Sequence, residues 1–321
     1  MKLLVQLSRI IVGVLFIFSG FVKLVDPLGS KYKFEEYFGE SVLDMEYLIP
    51  YALAFSILLI IVEILLGLVL LLGCRIKITL WSLFVLNTLF LFLTWYSAYY
   101  NKVTDCGCFG DAIKLTPWET FYKNIILMVL IVFMLLRMKD IKSIFSVKVS
   151  QVITVLSLIS FIYITYHVLV HLPLIDFRAY AIGNNIPEGM EYKGDGEIPP
   201  IHDFYLEDAQ SDLAPEILKM DKVLLVLVYD LDKADKNGFK AIKTVTERAI
   251  KKGYKVYGAS ASFTDELILA KEKYELPFDF LFCDGTTLKT MVRSNPGLMM
   301  LNKGTIVGKW NWNDSESVEF N

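Results

Sequence analysis

The sequence predicts a membrane α-helical bundle followed by a soluble α/β domain, and three observations lead there. The chain is 55% hydrophobic and 21% charged, against roughly half and a quarter in an ordinary globular protein. The apolar excess lies in the first 172 positions, which divide into stretches long enough to cross a bilayer. Beyond residue 200, short apolar runs alternate with amphipathic ones, the pattern of a three-layer α/β domain. A net charge of −3 gives no basis for nucleic-acid binding. Three histidines and four scattered cysteines are too few for a disulfide scaffold.

A helix needs roughly 20 apolar residues to span the hydrocarbon. Residues 48–73 carry one charge, Glu63, and residues 78–100 and 149–172 carry none apart from histidines near the end of the latter. The uncharged run 124–136 reaches spanning length once 118–123 are counted as its interfacial end. Residues 10–22 form a weaker stretch, bounded by Arg9 and Lys23. A signal-peptide core is the competing reading, but no small-x-small cleavage site follows. Lys23 lies where its stem can snorkel, so a first spanning helix is expected. Thr116-Pro117-Trp118-Glu119 reads as a capping box with proline at the first helical position.

Arg75 and Lys77 mark one short loop, and Arg137, Lys139, Lys142 and Lys148 another, so both should face the cytoplasm. Five crossings then put the N-terminus inside. The loop from Asp26 to Glu46, the loop holding TDCGCFGD (104–111) and everything after residue 172 fall outside. Trp95, Tyr96, Tyr99 and Tyr100, with Trp118, Phe121 and Tyr122, supply aromatic belts at the expected outer interface.

Residues 173–200, including NNIPEGMEYKGDGEIPP, read as an irregular linker. Strands are expected at 223–230, 254–260 and 278–283. Helices are expected at 236–252, near 264–274 and through Thr290, and a hairpin at 297–301 and 305–310. This order, with Asn295-Pro296-Gly297 entering a strand where a cis-proline is kept, resembles the thioredoxin superfamily, particularly its membrane-tethered thiol reductases and peroxiredoxins. The resemblance implies a Cys-x-x-Cys after the first central strand. Here that position reads DLDKADKNGF (230–239), so Asp232, Lys233, Asp235 and Pro296 mark a degenerate site. Without a thiolate the domain cannot perform disulfide exchange unaided. Cys283, at a strand end, is expected to be buried and inert.

Cys106 and Cys108 are the candidate redox pair. Two residues apart, their α-carbons are at most about 7 Å apart, and a disulfide requires roughly 4.4–6.8 Å. A bent Cys-Gly-Cys can therefore close, and the strained ring would be exchangeable. A small structural disulfide shaping the loop is the alternative. Cys74 sits at the cytoplasmic end and cannot join, whereas Cys283 is on the correct side. A zinc site is not expected, because no third cysteine or histidine lies nearby.

RIIVGVLFIFSGFVKLVDPLG (9–29) resembles the opening of the DoxX family, and EILLGLVLLLG (63–73) with the CGCFG loop resembles its MauE branch of redox-associated membrane proteins. The resemblance covers about residues 1–140. It implies a four-helix membrane domain over 1–140 that helps disulfide formation or electron transfer to partners outside the cytoplasm, with Cys106 and Cys108 as its cysteines. In this chain a fifth transmembrane helix (149–172), the linker (173–200) and a thioredoxin-like extracytoplasmic domain (201–321) would follow. The implied setting is a bacterial cytoplasmic (inner) membrane, with the lipid bilayer and an extracytoplasmic protein as partners. No cofactor motif is evident. A quinone is chemically suited to accept electrons beside an outer-face cysteine pair, but no residue marks one.

Arg9 and Glu63 stand inside apolar stretches, where charged residues usually face a partner. Counted from the cytoplasmic ends they lie ~10 Å and ~18 Å deep, and an Arg9–Glu63 contact is expected. A packing role is the simpler reading and a proton or quinone site the other. His167 and His171 are expected at the outer interface. Three functions follow: a thiol–disulfide oxidoreductase or its accessory; a non-enzymatic scaffold whose degenerate domain binds a protein; and, more distantly, small-molecule transport using the charged pair.

Overall fold

The computed structural model describes residues 1–320 apart from 104, 195, 197 and 203. Thr104, which opens the TDCGCFGD stretch, and two positions of the expected linker thus lie outside the described residues. The chain divides into two compact units, Met1–Leu169 and Val170–Asn321.

The first unit is helical. Its helices are α1 (Lys2–Val25), α2 (Pro27–Phe38), α3 (Ala52–Leu72), α4 (Ile76–Tyr100), α5 (Pro117–Leu136) and α6 (Val147–Val170). Among the described residues, five helices are long and apolar enough to cross a membrane: α1, α3 with the 3-10 turn before it, α4, α5 and α6. The stretch from Asp26 to Glu46, expected as a loop, contains α2. Its start was written locally: the Asp26 side chain accepts from the Gly29 N–H at 3.1 Å, and Pro27 occupies the first turn. The capping box of α5 forms as expected, with Glu119 N–H donating to Thr116 Oγ1 at 3.3 Å and Thr116 N–H to Glu119 at 2.9 Å.

Helices α1 and α3 run antiparallel in close contact. A Cβ added at Gly20 would lie 2.3 Å from the Ile64 side chain, and one at Gly67 2.8 Å from the Gly13 carbonyl. Only glycine permits backbones this near, the usual means by which helices pack in lipid. Val5, Val12, Phe16, Leu70, Leu80, Leu83, Leu127 and Ile131 fill the interior between α1, α3, α4 and α5.

The second unit carries a five-stranded sheet among the described residues, in the order β3-β2-β1-β4-β5. The strands are β1 (Val223–Val228), β2 (Lys255–Ser260), β3 (Phe280–Phe282), β4 (Gly297–Asn302) and β5 (Thr305–Asn311). The first three are parallel, and β4 runs antiparallel to both β1 and β5. All of β1 is buried. Its alternate residues serve two cores: Val223, Leu225 and Leu227 on one face, Leu224, Val226 and Val228 on the other. The remaining helices are α7 (Ile186–Met190), α8 (Ala214–Ile217), α9 (Gly238–Lys251), α10 (Thr264–Tyr274) and α11 (Gly285–Met291). Every strand and helix expected beyond residue 220 is present, with ends shifted by a few residues.

The expected linker needs correction. Asn185 caps α7, Ile186 is fully buried, and the Gly183 and Ile186 N–H groups donate to the Ile306 and Gly304 carbonyls. The segment thus lies along β5 as part of the domain. A cluster of charges fixes its start. Asp176 accepts from Arg178 at 2.6 Å and from Lys309 at 2.6 Å, and Lys309 also donates to the Tyr180 carbonyl. Burial opposes ionisation of Asp176, but Arg178 and Lys309 prevail and hold its carboxyl at about 2. Burial, then the Arg178 charge, pulls Lys309 down to about 8.

Candidate thiol site and its buried polar support

The CGC loop is short and held from several sides. The Gly107 N–H donates to Asp105 at 3.0 Å, and Gly107 adopts φ 64°, a left-handed conformation that favours glycine. A Cβ there would also lie 2.9 Å from the Lys33 stem of α2. Phe109 packs on Phe18 of α1 with ring centroids 5.5 Å apart, and the Lys123 ammonium of α5 lies 4.5 Å from the centre of the Phe109 ring.

The two cysteines differ. Both are free thiols; Cys106 is buried, and Cys108 is half-buried. Cys106 is pushed up to about 11, first by burial and then by Cys108, against the pull of a hydrogen bond to the Tyr37 hydroxyl. Tyr37 is itself raised by burial, and Ser97 of α4 donates to its oxygen at 3.4 Å. Cys283 is fully buried, as expected, and pushed up to about 12 by burial and by Asp284.

Beneath the loop lies a chain of polar groups. The Lys23 ammonium of α1 donates to Glu63 of α3 at 2.7 Å and to Ser19 at 2.9 Å. Ser19 Oγ in turn donates to the Cys108 carbonyl at 2.6 Å. A small cavity adjoins this chain, and Ser19, Glu63, Cys108, Lys123 and Asn124 are among its lining residues.

The expected Arg9–Glu63 contact is not formed. Antiparallel register sets Gly20 against Ile64, so the partner of Glu63 is Lys23, one turn further along α1. Arg9 meets the other end of α3, donating to the Leu70 and Leu71 carbonyls, to the Lys142 carbonyl and to Gln6. That end is the negative pole of the helix, where carbonyls lack intrahelical partners and a guanidinium is favoured. Seven residues separate Glu63 from Leu70, about 10 Å of helix. Depth counts along separate helices could not resolve this. Lys23, expected to snorkel, is instead buried and paired with Glu63; Ser19, Asn124 and Tyr37 escaped the sequence reading, and the i, i+4 spacing of Ser19 and Lys23 was the available signal.

In the second unit, loop 230–238 does sit against Pro296. The Asp235 N–H donates to the Asn295 carbonyl at 2.9 Å, Asn295 Nδ2 donates to the Asp230 carbonyl at 2.6 Å, and the Asn295–Pro296 peptide is cis. Lys233 pairs with Asp230 at 2.7 Å, mostly in solvent, and Asp232 lies on the same loop. His171 bonds Asp314 at 2.7 Å, and His167 stacks beside Tyr163.

Residues 1–137 match a family described as methylamine utilisation protein MauE. No curated protein and no solved structure matches the chain.

Proposed function

Starting from a multi-pass membrane protein whose first 137 residues are of the MauE type, we propose that the chain exchanges disulfides with an extracytoplasmic protein through Cys106 and Cys108. The observation that carries this reading is the unequal pair of free thiols in one constrained loop. Cys108, the more exposed, gives up its proton and attacks a partner disulfide. A mixed disulfide forms, and the displaced partner thiolate takes up a proton. Cys106 then loses its proton and attacks the Cys108 sulfur, closing the ring and releasing the second partner thiol. Two electrons and two protons pass from this pair to the partner, and the reverse sequence oxidises a partner dithiol.

The charge of the short loops supports an inner-membrane location with the N-terminus inside and the CGC loop outside. A quinone remains a suitable electron acceptor by chemistry alone. The α/β domain, read as a degenerate thioredoxin-like module, recruits the partner by the exposed residues of loop 230–238, Asp232, Lys233 and Asp235, which cover the buried Pro296. Its cysteine-free loop also supports a second reading, a non-enzymatic scaffold in which the loop disulfide is only structural.

Mixed-disulfide trapping separates the two. Cys106→Ser should accumulate a partner-linked species reversible by reductant, and Cys108→Ser should not. In intact membranes the unmutated pair should move between alkylatable and protected states as reductant is added and removed. A pair locked in either state, with nothing trapped on Cys108, selects the scaffold.

A further inference from the structure

Helix α2 presents one face to the CGC loop. Lys33 and Tyr37 stand four residues apart on that face. The Lys33 stem covers Gly107, and the Tyr37 hydroxyl is hydrogen-bonded to Cys106. The adjacent row of the helix, Phe34 and Phe38, anchors it to Phe55 of α3, with ring centroids 6.3 and 5.7 Å apart. Tyr37 is 9% exposed and packs with the buried Val42 and Val103. A phenylalanine would fill that apolar site equally well, and a buried hydroxyl is costly unless it is bonded. Here it is bonded twice and in one direction. Ser97 of α4, fully buried, donates to the Tyr37 oxygen at 3.4 Å, and the Tyr37 hydroxyl donates to the Cys106 sulfur. The chain of donors thus ends on the sulfur that closes the ring.

We propose that the Tyr37 hydroxyl stabilises the Cys106 thiolate while it attacks Cys108, with Ser97 as the positioning residue that aims it. This deepens the exchange reading and rests on it. In the closing step Cys106 loses its proton to solvent, and its sulfur bonds to the Cys108 sulfur. The bond from Cys108 to the partner sulfur breaks, and the partner thiolate leaves and takes up a proton. Tyr37 keeps its own proton throughout, since burial raises it above the ordinary phenol value. A hydrogen bond to an ionised acceptor is stronger than one to a neutral acceptor, so the hydroxyl favours the thiolate over the thiol before it and the disulfide after it. The other charged or titratable groups facing Cys106 are Asp105 and Cys108 of its own loop, which oppose the thiolate, and Lys33 of α2, which favours it.

The test uses the full-length chain in lipid nanodiscs, with Cys74→Ser to silence the half-buried thiol elsewhere and dithiobisnitrobenzoate as the disulfide. Cys108 attacks the reagent and releases one thionitrobenzoate. Cys106 releases the second as the ring closes, so absorbance rises in two phases, and Cys106→Ser should show the first alone. Tyr37→Phe keeps the ring and should leave the first phase unchanged while slowing the second about fivefold. The thiolate fraction falls further than that, but a more basic thiolate is the better nucleophile and recovers part of the loss. Ser97→Ala should slow the second phase about twofold, and Ser97→Thr, which keeps the hydroxyl, should restore it. Tyr37→trifluorotyrosine has nearly the same shape and a more acidic hydroxyl, and should accelerate the second phase, a response that packing alone does not give. Phases that slow together, or a second phase indifferent to both replacements of Tyr37, overturn the proposal. Should Tyr37→Phe fail to assemble, the trifluorotyrosine chain decides, and an unchanged second phase there overturns it as well. A single phase in the chain with both loop cysteines sinks the exchange reading and the donor role with it, whereas two phases indifferent to Tyr37 sink only the donor role.

Discussion

The CGC loop and loop 230–238 are built alike and equipped differently. Each is a short turn held by a side chain that donates to its backbone: Ser19 Oγ to the Cys108 carbonyl in the first, Asn295 Nδ2 to the Asp230 carbonyl in the second. The membrane loop carries two thiols above a buried ion pair. The other loop carries Asp232, Lys233 and Asp235, and its ion pair lies in solvent. Reactivity in a protein depends on burial and charge around a group more than on loop shape, because desolvation is what shifts a proton equilibrium by several units. The contrast is the basis on which the proposal places the chemistry in the membrane unit and recognition in the α/β unit.

The largest expected effect would break that contrast at its base. Lys23→Met strands Glu63 in the bundle and should cost about 3–5 kcal/mol in stability, whereas Lys23→Met with Glu63→Gln should recover most of it, measured by denaturant unfolding in detergent. Equal stability of the single and double variants would mean that water already reaches Glu63. Next comes the difference between the two cysteines. A thiol raised from 9.0 to about 11 has its thiolate fraction cut about 100-fold, close to 2.7 kcal/mol. Near neutral pH, Cys106 should thus label far more slowly than an unperturbed thiol, with its rate rising about tenfold per pH unit; similar rates for Cys106 and Cys108 would remove their division of roles.

A smaller effect belongs to the α/β unit. Asp176 is lowered from 3.8 to about 2, so its ionised form stabilises the folded state fully above its ordinary value. As the pH falls through about 4 towards about 2, roughly 2 kcal/mol should be lost. Hydrogen exchange at the β5 amides of the full chain should report that loss, and Asp176→Asn should abolish the step. Smallest of all, Lys233→Ala removes an exposed pair and should change stability by about 0.5 kcal/mol or less. It should also leave Cys108 labelling unchanged; a large effect on either would show that loop 230–238 takes part in the chemistry.

Much was legible because it is local. Spanning lengths, the Thr116–Glu119 cap, the strand order from 223 to 310 and the neighbouring cysteines are written within a few residues each, where periodicity and turn chemistry act. Helix α2 was also local, and the mixed charges of the segment obscured its Asp26-Pro27 start. The exchange of Arg9 for Lys23 as the partner of Glu63 was of another kind. It depends on which turn of α1 faces which turn of α3, and that register is set by glycines that let two backbones meet at Gly20 and Gly67.

The amino-acid sequence by itself determined that this protein has a membrane bundle, a separate α/β domain and a pair of thiols between two helices, since each follows from apolar length, alternation and spacing along the chain. Only the tertiary structure decided that Lys23, Ser19, Glu63 and Asn124 gather beneath Cys108. These residues come from three helices and lie up to about a hundred positions apart, and a one-turn slide of any helix would disperse them without altering a single local preference.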